Sequence, residues 1–363
     1  MRVKLFDDFD SLEACWNSFL KNSLTGNNIF LTWEWLSIWW KHFGKGRELL
    51  VLAAEEEGKT LAIAPFMLSK YPVMKFGHIS KIEFLGAPQS DYSNFIFIER
   101  ENECLRSFIN YLESEVSGWD VIELKELPES QLTKHLVDSI LDDHSIRLHK
   151  KTAVCNICPY IPLPSSSEIF VNNLSHSQRY NLNRSMKKLA RSFAVDFKDY
   201  ADLGFSIVDA MNLFFRLHEM RWNGKGQSGV LAESDVQAFH LDIAKCFAEK
   251  SWLALYFLTL NNQPVSAHYG FEYGKKMYWY LSGFNTEYTS YSIGNIGMKL
   301  LIEKCINSGF SEFDLLRGEE AYKSHWTSAY RKNFEIILAR TNLFSLNYAV
   351  REKIKNAQKK RDF

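Results

Sequence analysis

The chain has 363 residues, 46% hydrophobic, 15% aromatic and 24% charged, the profile of a folded globular protein and not of a disordered one. Lys plus Arg and Asp plus Glu stand at 43 each, so no global field draws the molecule to nucleic acid or an anionic membrane, and any anion site must be local. The length exceeds what one core usually fills, which predicts two domains or a fused pair of similar units.

Taken in chain order, "MRVKLFDDFD" carries acids where a secretory leader needs an apolar run. No later stretch approaches the ~20 apolar residues of a membrane span, so a cytoplasmic protein with no membrane span is expected. "FLTWEWLSIWWKHF" predicts an aromatic amphipathic helix capped by Thr32. The two extended runs of "ELLVLAAEEEGKTLAIAPFML" meet at "EEGK" in the manner of a hairpin. The strands "KIEFLG" and "NFIFIE", the helix "ENECLRSFINYLESEVSG" and the strand "WDVIEL" complete the first half.

Six cysteines, Cys15, Cys104, Cys155, Cys158, Cys246 and Cys305, are scattered through a chain too large to need disulfide staples, which suits a reducing compartment. The close pair in "AVCNICPYIPL" lies in a strand running into prolines. It has neither the second pair that zinc requires nor the helix start of a redox dithiol, so it reads as ordinary buried thiols and no metal site is expected.

Pro159, Pro162 and Pro164, followed by "SSS", mark a boundary. Beyond it the order repeats: the helices "FSIVDAMNLFFRLHEMRWNG" and "SDVQAFHLDIAKCFAEK", three strands turning at "NNQP" and "YGKK", the helix "GNIGMKLLIEKCINSG" and the strand "FSEFDLL". Gly118 to Leu124 aligns with Gly309 to Leu315, a helix-ending Gly followed by a strand with an acid at the same place, Glu123 or Asp314. This implies an internal duplication: an α/β chain of mixed α+β character, mainly antiparallel, in two tandem units over residues 1–160 and 165–345, with a basic tail at 346–363.

Four stretches carry candidate chemistry. In "SHSQRYNLNRSMKKLAR", Arg184, Lys187, Lys188 and Arg191 share one helix face with no acid among them, an anion patch or a solvated face. In "FNTEYTSYSIGNIG", Gly294 and Gly297 would let backbone N–H groups approach a phosphate, and Ser292 or Asn295 could cap the helix. "RLHEMRW" puts Arg221 and Trp222 near a helix end, either as packing or as a carboxylate or phosphate holder, while His268 lies mid-strand, where a structural histidine is the commoner outcome. Last, "FDLLRGEEAYKSHW" crowds mixed charge behind a strand: Asp314 needs a counter-charge that Arg317 or Lys323 would supply, and Glu320 adds a second acid.

Together with "LHEMRW" and the basic helix, the run from Tyr291 to Trp326 resembles the CelD/BioF2-like branch of the GNAT acyltransferases, relatives of the Fem-like tandem GNAT proteins. The resemblance extends from the "TWEW" helix to about Phe334, and its most specific motif is Phe313-Asp314, Arg317-Gly318 and Tyr322-Lys323. It implies two GNAT-like units, an acyl-CoA donor, and direct transfer to an amine or hydroxyl of a small-molecule or saccharide acceptor in polysaccharide or envelope synthesis. It makes Ser292, Gly294, Asn295 and Gly297, with Arg184 and Lys188, the donor's phosphate site. This chain departs from the usual GNAT loop of Gln or Arg followed by Gly-x-Gly/Ala. Asp314 or Glu320, then His268, are candidate bases; Arg317 and Lys323 orient acids or substrate; Tyr322 and Trp326, with Arg221 and Trp222, line the acceptor site.

Two other readings stay open. A Fem-like ligase would take an aminoacyl group from tRNA, with the basic helix and the tail "REKIKNAQKKRD", about +4 by count, on RNA phosphates. A duplicated fold could instead keep a pocket without catalysis. The first unit's "ELKELPES" lacks the Arg-Gly and Tyr-Lys of the second, so chemistry is expected in the second unit or at the junction.

Overall fold

The computed structural model describes residues 1–73, 77–143, 146–224 and 226–340. Two compact units divide the chain: Met1–Ile157 with the segment from Arg331, and Cys158–Tyr330. The first contains β1 (Arg2–Phe6), α1 (Glu13–Lys21), α2 (Trp33–Phe43), β2 (Glu48–Glu56), β3 (Lys59–Val73), β4 (Gly77–Phe84), β5 (Ile96–Phe97), α3 (Glu101–Ser114), β6 (Val121–Pro128) and α4 (Gln131–Asp142). The chain leaves it along β7 (His149–Pro162).

Local chemistry explains these elements. The Thr32 hydroxyl accepts the Trp35 N–H and starts α2, which buries Trp35, Leu36 and Trp39. Glu57 and Gly58 both have left-handed φ, 50° and 77°, the two-residue turn whose twist suits the β2–β3 hairpin. Phe66, Phe84, Phe95, Phe97 and Phe108 form the centre of a core shared by the sheet and α3.

The second unit contains α5 (Ser167–Asn173), α6 (His176–Ser192), β8 (Val195–Asp199), α7 (Ile207–Asn223), α8 (Ser234–Glu249), β9 (Leu253–Leu260), β10 (Gln263–Tyr273), β11 (Lys276–Phe284), α9 (Ile293–Asn307) and β12 (Glu312–Asp314). Its strands run in the order β12-β11-β10-β9-β8, with Tyr160–Pro162 of β7 antiparallel to β12. The duplication read from the alignment is visible in topology. In each unit a three-stranded meander leads into a helix and then a strand parallel to the meander's last strand, Glu83 beside Glu123 and Tyr278 beside Asp314. The two helix-ending glycines, Gly118 and Gly309, have φ of 76° and 75°.

One boundary differs from the sequence expectation of 165–345. The strand β13 (Tyr330–Ala339) pairs antiparallel with β6, Ile336 beside Leu124 and Leu338 beside Ile122, and belongs to the first unit from Arg331 onward. "FEIILA" reads as a strand, but an apolar strand does not state which sheet it will join. The basic tail 346–363 lies outside the described residues.

Two glycines set how closely helices approach the second meander. A Cβ on Gly283 would fall 2.2 Å from the His218 backbone N of α7, and one on Gly297 of α9 would fall 2.2 Å from His268 Nε2. His218, His240 and His268 are therefore enclosed, 2%, 1% and 1% exposed. Burial pushes them down to about 4, 3 and 3, with the Arg221 charge adding to the effect on His218 and His268 and His218 adding to that on His240. The folded pKa values lie below the unfolded 6.5, so the unfolded chain takes up these protons first. Their contribution to stability is full above pH 6.5 and declines as pH falls toward 4.

NMR titration of the three imidazoles should show no movement between pH 8 and 5; a midpoint near 6.5 at any of them contradicts its enclosure. Gly297→Ala should cost about 1–3 kcal/mol in denaturant melts, because the His268 ring has nowhere to shift. Gly294→Ala, whose Cβ would meet Phe284 at an ordinary 3.5 Å, should be neutral or mildly stabilising.

Candidate active site

Strand β12 is three residues long, and β11 pairs with it only over Lys276–Tyr278 before running on to Phe284 alongside β10. The strands part because the chain turns at Asp314, whose Oδ1 accepts the Leu316 N–H at 2.8 Å while Leu316 adopts a left-handed φ of 59°. Lys323, 3% exposed, donates to the carbonyls of Arg317 at 2.7 Å and Leu316 at 3.4 Å, and pairs with Glu320 at 2.9 Å. Gly318, at φ 119°, leaves no room for a side chain against the Glu320 carboxylate. The crowded charge of this stretch is thus a loop scaffold. Asp314, 0% exposed, and Lys323 shape the turn and face no open space.

His268, the third candidate base, is also enclosed. Trp279 Nε1 donates to its Nδ1 at 3.2 Å, so the neutral ring carries its proton on Nε2, the atom packed against Gly297. Trp222 Nε1 donates to His218 Nε2 at 3.0 Å, which gives Trp222 a packing role.

Glu320, Tyr322 and Arg221 do come together. The Glu320 side chain is about half exposed. Burial raises the Tyr322 hydroxyl's pKa, the Glu320 charge raises it further, and the Arg221 charge opposes both. Arg221 Nη1 donates to the Ser282 carbonyl at 3.1 Å and to its hydroxyl at 2.6 Å, and the Tyr322 ring meets Trp279 edge-on at 6.0 Å. This trio lies on the loop and helix that flank the parted strands. Arg317 contributes its carbonyl to Lys323.

A cleft of about 640 Å³ opens at the start of α9, lined by Ser292 and Asn295, by Gln178, Asn181, Arg184 and Ser185 of α6, and by Trp326 and His325. Among the described residues no carboxylate lines it. Ser292 is left-handed, φ 56°, and no side chain caps the helix; the Asn295 N–H, which a Ser or Thr hydroxyl would take at this position in α2, α6 and α7, turns to the Ser292 carbonyl at 3.0 Å. Of the expected phosphate site, Ser292, Asn295 and Arg184 line this cleft with Trp326. Lys188 instead donates to the Ser290 carbonyl at 3.3 Å and lies over the Tyr291 ring. Gly294 packs on Phe284 and Gly297 on His268. Sequence reading missed Ser282 and the neutral stripe Gln178, Asn181 and Ser185. The stripe's helical spacing of 0, 3 and 7 is present in the sequence, but neutral polar residues at that spacing are also what a solvated helix face shows.

In the first unit, the counterpart of Asp314 is Glu123, held by Lys81 at 2.8 Å and Lys125 at 3.0 Å, while Tyr71 donates to Glu83 at 2.6 Å. An ion network fills that position. Among the described residues no group of His, Cys, Asp and Glu gathers as metal ligands, and no helix is long and apolar enough to cross a membrane. No disulfide joins the six cysteines.

Residues 176–324, from the start of α6 to Ser324, match the family model of the GNAT acetyltransferase domain. No curated protein matches the chain. Among solved structures, FemX aligns with a TM-score of 0.62 at 10% identity, over 92% of this chain and 97% of its own. A conserved protein of unknown function from Bacteroides thetaiotaomicron aligns at 0.55 and 13% identity, over 93% and 100%. A tandem GNAT protein from the clavulanic acid biosynthesis pathway aligns at 0.51 and 7%, over 94% and 99%. At these identities the likeness is one of fold. Residues 176–324 are thus similar to a GNAT acetyltransferase domain, and the chain shares the fold of FemX and of a tandem GNAT protein.

Proposed function

We propose that the protein is an acyltransferase that moves an acyl group, acetyl in the simplest case, from acyl-CoA to an amine or hydroxyl. The observation that carries this reading is the acid-free cleft at the uncapped start of α9, in a unit whose β11 and β12 part beside Glu320 and Tyr322. Arg184, the Asn295 side chain and the positive end of the α9 dipole suit the donor's phosphates, which a helix N-terminus attracts. The donor supplies an activated thioester. Glu320, the one candidate base with an exposed carboxylate, takes the acceptor's proton, and Tyr322, kept protonated by burial, offers a hydroxyl to the leaving thiolate. A saccharide or envelope-precursor acceptor follows from the family resemblance.

Acetyl-CoA at 100 times its Kd should stabilise the protein by about 2.7 kcal/mol, read as a raised Tm, and Arg184→Glu should remove most of that shift. Glu320→Gln should keep the shift and lower kcat at least ~100-fold. Full activity in that variant removes Glu320 as the base.

A second reading, aminoacyl transfer from tRNA, draws on α6. Arg184, Lys187, Lys188 and Arg191 are exposed, and none of them pairs with a carboxylate among the described residues. Charged tRNA would then bind with an affinity that falls steeply with salt, by about 0.7–0.9 log units per log unit of salt for each phosphate contacted. A flat salt response, with acetyl-CoA stabilisation intact, leaves the first reading alone.

A further inference from the structure

Arg221 carries a charge that nothing among the described residues neutralises. It occupies the last turn of α7, half-buried, where Gly283 lets that helix touch β11. Its guanidinium is held from two sides: Nη1 by the Ser282 carbonyl and hydroxyl, and the flat face by the Phe284 ring at 5.5 Å. The Tyr322 hydroxyl is near enough to feel its charge. Yet no carboxylate pairs with it, and its Nε–H is buried without an acceptor. The contrast with the chain's buried lysines is direct, since Lys81 has Glu123 and Lys323 has Glu320. A partly desolvated guanidinium with an orphan donor costs free energy until an oxyanion meets it. Fixed in plane by Ser282 and Phe284, it presents the rigid fork that carboxylates and phosphates fit.

We propose that Arg221 binds an oxyanion of the acyl acceptor, a carboxylate or a phosphate, so that the acceptor is an anionic amine or hydroxyl compound. This rests on the acyltransfer reading above. The placement assigns the anion to the acceptor and not to the donor, whose phosphates have the α9 cleft. The charges of Arg221 and Glu320 act on the Tyr322 hydroxyl with opposite sign, so a cation and an acid flank it. An amine directed to Glu320 and an oxyanion directed to Arg221 complement both, and a neutral sugar amine would leave the guanidinium unmet.

The test uses the full chain and matched probes: glycine against glycinamide, and glucosamine 6-phosphate against glucosamine. Each is scored by thiol release from acetyl-CoA and, separately, by its own shift in Tm. The anionic member of at least one pair should win by about tenfold or more in kcat/KM or in apparent affinity, which also tells carboxylate from phosphate. Arg221→Gln should erase that preference, and Arg221→Lys should keep part of it. Ser282→Ala, which loosens the guanidinium without removing it, should lower the preference and covers the case in which Arg221→Gln fails to fold. Equal treatment of both pairs by both readouts, or a preference that survives Arg221→Gln, overturns the proposal. Failure of the donor reading looks different: acetyl-CoA gives no Tm shift while the anionic probes still do.

Discussion

The second unit's chemistry depends on where one short strand stops. Asp314 turns its own carboxylate onto the Leu316 N–H, a local bond that competes with continuation of the ladder. Because β12 ends there, β11 continues without its parallel neighbour, and the loop carrying Glu320 and Tyr322 is set beside the gap. Lys323 then holds that loop by two carbonyls and one carboxylate. A buried ammonium with three oxygen partners is well matched, and losing any one leaves an uncompensated polar group. The pattern Phe313-Asp314, Arg317-Gly318 and Tyr322-Lys323 therefore encodes a turn first.

The duplication shows how one plan can diverge. Both units place an acid at the same register, Glu123 and Asp314, beside the last strand of a meander. In the first, two lysines and a tyrosine-bound glutamate close over that position, and burial raises the pKa of both Glu83 and Tyr71, the latter to about 12. In the second, the acid is absorbed into the loop, with Glu320 half exposed and Arg221 half-buried beyond it. Zero net charge conceals this arrangement, because the exposed cations of α6 and the half-buried Arg221 act locally.

Glycine and histidine placement tightens the same region. Gly283 and Gly297 admit α7 and α9 to contact distance with the meander, and the neutral His218 and His268 fill the space so created. Their protonation would require opening the packing, so acid weakens the unit that carries the site.

Much of this was legible in the sequence. Thr32 before an aromatic helix, the "EEGK" and "YGKK" turns, the long apolar strands and the aligned Gly118 and Gly309 follow local rules of capping, twist and period. The cluster of Glu320, Tyr322 and Arg221 combines residues singled out from separate motifs. What the sequence could not decide was orientation and partnership. Whether Asp314 points into a cleft or onto its own backbone, whether Gly297 faces a phosphate or a histidine, and which sheet receives Tyr330–Ala339 depend on contacts between residues far apart in the chain. Local pattern determines which elements form; burial, set by the packing of distant elements, decides which polar groups remain available to a ligand.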